Sequence, residues 1–190
     1  WHGRRDDTWT ASARRWALVA WMVLGAGILL GANWAYQELG WGGYWAWDPV
    51  ENGSLIPWLS GTALVHSLMA WRYRQTLKKT SVALAIVTFG LCNFATFLTR
   101  SGIFSSVHAF SQSPIGWFFL ALMIVLVAGG TALIVWRRGL LQPEQAFRSV
   151  WSREALILIG VVLWSVLAAV VTIGTLVGPL SHWIGSRPAT

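Results

Sequence analysis

Cysteine is almost missing from this chain: Cys92 is the single one in 190 residues. No internal disulfide and no CxxC redox or metal motif is open to it. Cys92 lies inside an apolar run, where the role of a small buried apolar residue is expected. Charge is scarce as well. Asp, Glu, Lys and Arg make up 11% of the residues, against about 25% in soluble domains. HExxH, a Walker loop, GxSxG and Cys/His zinc spacings are all absent, so nothing supports a hydrolase. No internal repeat marks a transporter's inverted halves. The chain starts at Trp1, with neither methionine nor a signal-peptide pattern. It is expected to be an internal piece of a longer protein.

What remains is apolar and aromatic. The chain is 55% hydrophobic, with fifteen tryptophans and a mean hydropathy of +0.55. Apolar runs cover 16–35, 55–71, 82–98 and 115–136, and a fifth lies within 154–180. The expected fold is all-α: a polytopic transmembrane helix bundle of about five spans. Gly27 and Gly31 of the first run form a GxxxG spacing, which predicts close approach of a neighbouring helix. The formal net charge is +7, but the cations fall in short segments between the runs rather than on one soluble basic face. No nucleic-acid partner is therefore expected. Twelve of the fourteen Lys and Arg lie in the N-terminal segment, the Arg72–Lys79 loop and the Arg137–Arg153 loop. Those three are predicted to be cytoplasmic, with Arg100 and Arg187 on the outer side.

One stretch does not fit a packed apolar helix. WGGYWAWDPVENGSLIPW, residues 41–58, holds four tryptophans, a tyrosine, two carboxylates, two prolines and a Gly-Gly pair. Topology puts it on the outer side, as an amphipathic segment at the membrane surface. Asp48-Pro49-Val50-Glu51 reads as a helix start: Asp48 caps, proline takes the first position and Glu51 completes a capping box. A cap explains the two carboxylates better than an acid–base pair does. Pro57 should kink that helix or begin its span afresh, and Gly42-Gly43 permits a tight turn. Interfacial aromatic belts account for scattered residues such as Trp16 or Trp136. They do not ask for Trp41, Tyr44, Trp45, Trp47 and Trp58 around one short segment. Such a platform suits a flat apolar ligand, and a porphyrin or a quinone both qualify on shape.

Two histidines stand out. His66 sits in the middle of the second apolar run, where an ionisable residue marks a functional site by default. It is open to two readings: an imidazole bonded to another helix, or an axial haem ligand. Its neighbours at helical spacing are Thr62, Ala63, Met69 and Ala70, mostly small. His108, in SGIFSSVHAF, is either an ordinary exposed histidine or a partner of the tryptophan platform on the same side. The two belong to different layers and should not ligate one metal. His2 and His182 have no supporting context.

WGGYWAWDPVENGSLIPW resembles the WWD domain of haem-handling proteins in cytochrome c maturation. Val50, Glu51, Asn52, Pro57 and Trp58 match the CcmF/NrfE type, and GTALVHSL and LTRSGIFSSVHAF are similar to it too. The likeness covers most of residues 16–114; the last two spans are less distinctive. It implies one WWD transmembrane domain over 1–190, in a haem lyase subunit of the bacterial inner membrane. That subunit accepts haem from the chaperone CcmE and attaches it to apocytochrome c at CxxCH, with maturation subunits of the CcmH/CcmI type. Membrane lipid is its other surrounding. The resemblance implies that His66 is an axial ligand of a resident haem b. It makes His108 an axial ligand of the transferred haem. Trp41, Gly42, Gly43, Tyr44, Trp45, Trp47, Asp48 and Trp58 would form the docking face. Each histidine is expected to have its partner outside this chain. Arg100 is a candidate propionate contact from its charge and side alone. The alternatives are a haem-delivery protein of the CcmC/CcsA type, or a transporter or quinone-binding subunit.

Overall fold

The structure is a computed structural model that describes residues 8–40, 42–104, 106, 113–141 and 152–184, with the backbone alone at 8 and at 179–184. It is all-α. Five helices follow in order: α1 (Thr8–Glu38), α2 (Pro49–Arg74), α3 (Lys78–Arg100), α4 (Ile115–Trp136) and α5 (Arg153–Ile184). A short 3-10 turn, Arg138–Leu141, follows α4. Each apolar run expected from the sequence lies inside one helix, and α4 has the expected limits.

Four helices are long and apolar enough to cross a membrane: α1, α3, α4 and α5. α2 has the length, 26 residues, or about 39 Å at 1.5 Å per residue. It lacks the hydropathy because it is the interior helix. It packs against α1, α3 and α5, while α4 packs on α3. Its buried residues include Asn52, Ser60, Thr62 and Ser67. Surrounded by protein, such groups find partners. The Ser60 hydroxyl shares a 2.7 Å hydrogen bond with Thr88 of α3, and Ser67 donates to the Leu64 carbonyl at 2.9 Å. α2 runs through Pro57 as one helix and does not restart there.

The ends of the bundle differ in character. At one end Trp9 meets Trp71 edge to face at 4.8 Å, and the Arg14 guanidinium stands 5.9 Å from the Tyr73 ring. Arg74 pairs with Glu154 at 3.1 Å. The start of α1, the end of α2 and the start of α5 therefore share the basic end. The tight connection there places Gln75 and Leu77 in the left-handed region, φ 54° and 56°, and turns the chain back into α3. At the other end Phe94, Phe97, Leu98 and Phe104 form a buried cluster, with Ile103, Leu120, Met123 and Leu176 packed on it. The tryptophan segment lies at this end.

One expectation fails. Cys92 is exposed on α3. It lies on the face that α3 turns away from its partners, so an apolar run did not mean burial.

Candidate functional site

The start of α2 organises the aromatic segment. Asp48 Oδ2 accepts the Val50 N–H at 3.0 Å, and Glu51 Oε2 accepts the Asp48 N–H at 3.3 Å, the expected capping box. Glu51 Oε2 also accepts the Ala46 N–H at 2.8 Å. The cap thus reaches back into the segment and fixes its backbone. Pro49 occupies the first helical position, where its missing N–H costs nothing.

Trp47 adopts φ 58°, a left-handed conformation unusual for a bulky residue. Asn52 supports it. Its Nδ2 donates to the Trp47 carbonyl at 3.1 Å and to Thr175 Oγ1 of α5 at 3.1 Å. Asn52 is 5% exposed, so its amide is a buried bracket joining the segment, α2 and α5. On the other flank the Ser106 hydroxyl donates to Asp48 Oδ2 at 2.6 Å. That ties the cap to the chain following α3.

The aromatic rings on this scaffold divide into pairs. Tyr44 stacks on Tyr36 of α1 at 4.4 Å, and Trp47 meets Trp45 edge to face at 6.3 Å. Tyr44 and Trp47 are 55% and 64% exposed, so flat aromatic faces are presented outward. Trp45 turns inward. With Tyr44, Val50, Glu51 and Ser54 it lines a cavity of about 270 Å³ against Leu24, Gly27, Ile28 and Gly31 of α1. The Trp45 indole N–H is buried and has no partner among the described residues. Gly42, with φ 77°, and Gly43 form the turn before Tyr44.

The GxxxG expectation is corrected by this cavity. Among the described residues nothing stands within 4 Å of where a side chain would begin at Gly27 or Gly31. Their small face borders the cavity, and no described helix approaches it closely. Close approach occurs at Gly25, where a Cβ would lie 2.8 Å from Trp58 Nε1.

Trp58 does not join the outer rings. It stacks on Trp21 of α1 at 5.3 Å and 18°, and meets Trp164 of α5 edge to face at 6.3 Å. It lies one helical turn beyond Ser54, the last α2 residue of the cavity lining. The three indoles form a layer between that cavity and His66.

His66 lies two further turns along α2 and is half-buried. Its Nδ1 bonds the Thr62 carbonyl at 2.7 Å. A carbonyl only accepts, so Nδ1 carries a proton, and in the neutral tautomer the lone pair lies on Nε2. Thr62 is held in turn. Its hydroxyl donates to the Trp58 carbonyl at 2.8 Å and accepts the Trp21 indole N–H at 2.8 Å. Trp58, Thr62 and His66 follow one another at four-residue spacing on α2; Trp58 and Thr62 both meet Trp21 of α1, and Trp58 also meets Trp164 of α5.

Arg100 is exposed at the end of α3, at the same end of the bundle as the segment, and its carbonyl accepts the Ser113 N–H at 2.9 Å. Trp41, His2 and His108 lie outside the described residues, as does the side chain of His182. Three residues received no structural role from the sequence. Asn52 matters through a partner 123 residues away. Trp21 shares its apolar run with Trp16 and Trp34, Trp164 is the single tryptophan of 154–180, and only their contacts single them out.

Comparison with known proteins agrees with this arrangement. The family described as Cytochrome C assembly protein matches residues 2–108. The cytochrome c-type biogenesis protein CcmF of Escherichia coli (strain K12) is 48% identical over 180 residues, 95% of this chain and 28% of its own. CcmF of Pseudomonas aeruginosa is 47% identical, over 92% of this chain and 26% of its own. A probable cytochrome c-type biogenesis protein NrfE of Escherichia coli (strain K12) is also 47% identical, over 92% and 32%. A solved structure titled Cytochrome c Heme Lyase CcmF superposes with a TM-score of 0.72 at 36% identity, covering 90% of this chain and 26% of that one. The chain thus spans between a quarter and a third of the length of these relatives. It is a multi-pass membrane segment, and it belongs to the cytochrome c assembly family, within the CcmF/NrfE branch of cytochrome c-type biogenesis proteins.

Proposed function

We propose that this chain carries the haem-handling centre of a cytochrome c haem lyase subunit, with two haem sites at two depths. The outer site takes haem as substrate from a chaperone of the CcmE kind and presents it to the CxxCH thiols of apocytochrome c. The exposed faces of Tyr44 and Trp47 and the buried N–H of Trp45 make the docking surface, together with Trp41 and the turn at Gly42-Gly43. His108 would supply a nitrogen to the haem iron and Arg100 a cation for a propionate. Asp48 and Glu51 do no proton transfer. They hold the segment so that the haem edge meets the thiols in one orientation, which is catalysis by positioning. Maturation subunits of the CcmH/CcmI type bring the apocytochrome.

The inner site takes a resident haem b. His66 fits it: a neutral imidazole, with Nδ1 committed to a carbonyl, offers Nε2 to the iron. Haem b would supply a one-electron redox centre there. The second ligand of each haem comes from outside this chain. The segment and Arg100 face the periplasm and the basic end faces the cytoplasm of a bacterial inner membrane, as the charge distribution requires.

The observation that carries this reading is the His66 Nδ1–Thr62 bond, at 2.7 Å in the interior helix of the bundle. The test is His108→Ala in the full-length protein. Haem transfer to apocytochrome should be abolished while the b-type absorption spectrum stays. Loss of that spectrum in His108→Ala would overturn the assignment of the two sites.

A further inference from the structure

We propose that Trp21 and Thr62 are positioning residues for His66, so that α1 sets the properties of the inner haem without touching its iron. The inference rests on the reading of His66 as a haem b ligand. Three bonds that meet at Thr62 carry it. Trp21 Nε1 donates to Thr62 Oγ1 at 2.8 Å, Thr62 Oγ1 donates to the Trp58 carbonyl at 2.8 Å, and His66 Nδ1 donates to the Thr62 carbonyl at 2.7 Å. The Thr62 hydroxyl thereby has both a donor and an acceptor, and Thr62 is 5% exposed. The carbonyl that holds the imidazole belongs to a residue whose side chain is pinned from a neighbouring helix.

The surroundings make the pin specific. Trp21 is fixed by stacking on Trp58. Trp58 is seated against Gly25, where any larger residue would collide with its indole nitrogen. Moving α1 relative to α2 therefore moves the Thr62 turn, and with it the direction and strength of the Nδ1–H bond. That bond governs how much electron density Nε2 gives to a metal. A firm bond makes the imidazole a stronger donor and favours the oxidised iron. A loosened bond does the opposite and lets the ring adopt several orientations.

The experiment uses the full-length protein purified in detergent, read by spectroelectrochemical titration and by the low-spin electron paramagnetic resonance of the haem. Trp21→Phe keeps the stack and removes the N–H. The expected result is a higher midpoint potential, a broadened resonance and haem loss on dilution faster by roughly tenfold. Thr62→Val, which keeps both indoles, should move all three the same way, and Thr62→Ser should restore them. The double variant Trp21→Phe/Thr62→Val should go no further than Thr62→Val, because the two residues share one bond. Thr88→Val breaks the Ser60–Thr88 bond to α3 and should leave potential and resonance unchanged. Wild-type potential and resonance in both Trp21→Phe and Thr62→Val overturn the proposal, as does an equal shift in Thr88→Val. A b-type spectrum that survives in His66→Ala overturns instead the reading on which it rests.

Discussion

The outer aromatic segment and the inner histidine layer are built from the same residue types and held in opposite ways. The outer segment has irregular backbone, with a left-handed Trp47, and a few polar side chains hold it. Glu51 fastens two backbone N–H groups, Asp48 fastens one and the Ser106 hydroxyl, and Asn52 fastens the Trp47 carbonyl. The rings of Tyr44 and Trp47 are left exposed, while Trp45 turns inward. The inner layer is regular helix, its rings interlocked as Trp21, Trp58 and Trp164. Its polar bonds meet at Thr62, spanning two turns of α2 and reaching a single indole. The contrast is one of redundancy. On the proposed reading, a surface that meets a large flat substrate and releases it takes its shape from a cap, and a site that keeps its ligand is built into the packing.

Breaking the outer scaffold should have the largest effect. Glu51→Ala removes two charge-assisted hydrogen bonds, each about 1.5–3 kcal/mol. Haem transfer should fall below detection while the b-type spectrum stays at wild-type intensity, measured on the same preparation. Reaching the inner layer by overpacking comes next. Gly25→Ala puts a Cβ 2.8 Å from Trp58 Nε1, and the resulting strain should cost about 1–3 kcal/mol. Its signature is a lower Tm and an altered b-type spectrum. Thr175→Val leaves Asn52 its bond to Trp47 but removes its anchor on α5, a loss of about 1 kcal/mol. The expected outcome is slower haem transfer with an unchanged b-type spectrum. The smallest effect belongs to Ser60→Ala, which loses only the contact to Thr88. It should lower Tm slightly, by about 0.5–1.5 kcal/mol of stability, and change neither haem function.

The two regions also differ in how legible they were. Long apolar runs announced the helices, because a chain that crosses lipid must satisfy its backbone internally. The cap at Asp48 was legible because a capping box is a contact between residues three apart. Local signals stopped there. Gly27 and Gly31 had the spacing of a packing motif, yet no described helix fills the space beside them; Gly25, outside the motif, makes the close contact. Trp58 belonged to the outer segment by sequence and to the inner layer by position, since α2 carries it past the cavity floor. Asn52, Trp21 and Trp164 owe their importance to partners on other helices, which no local pattern encodes. Cys92 showed the converse: apolar neighbours in sequence can form the outer surface of a membrane bundle.

The central claim is that the inner layer holds a haem through His66, independently of the outer segment. The absorption spectrum of the purified full-length His66→Ala protein, oxidised and reduced, tests it most directly. The b-type bands should vanish while the protein remains folded and inserted. Bands of wild-type position and intensity would contradict it.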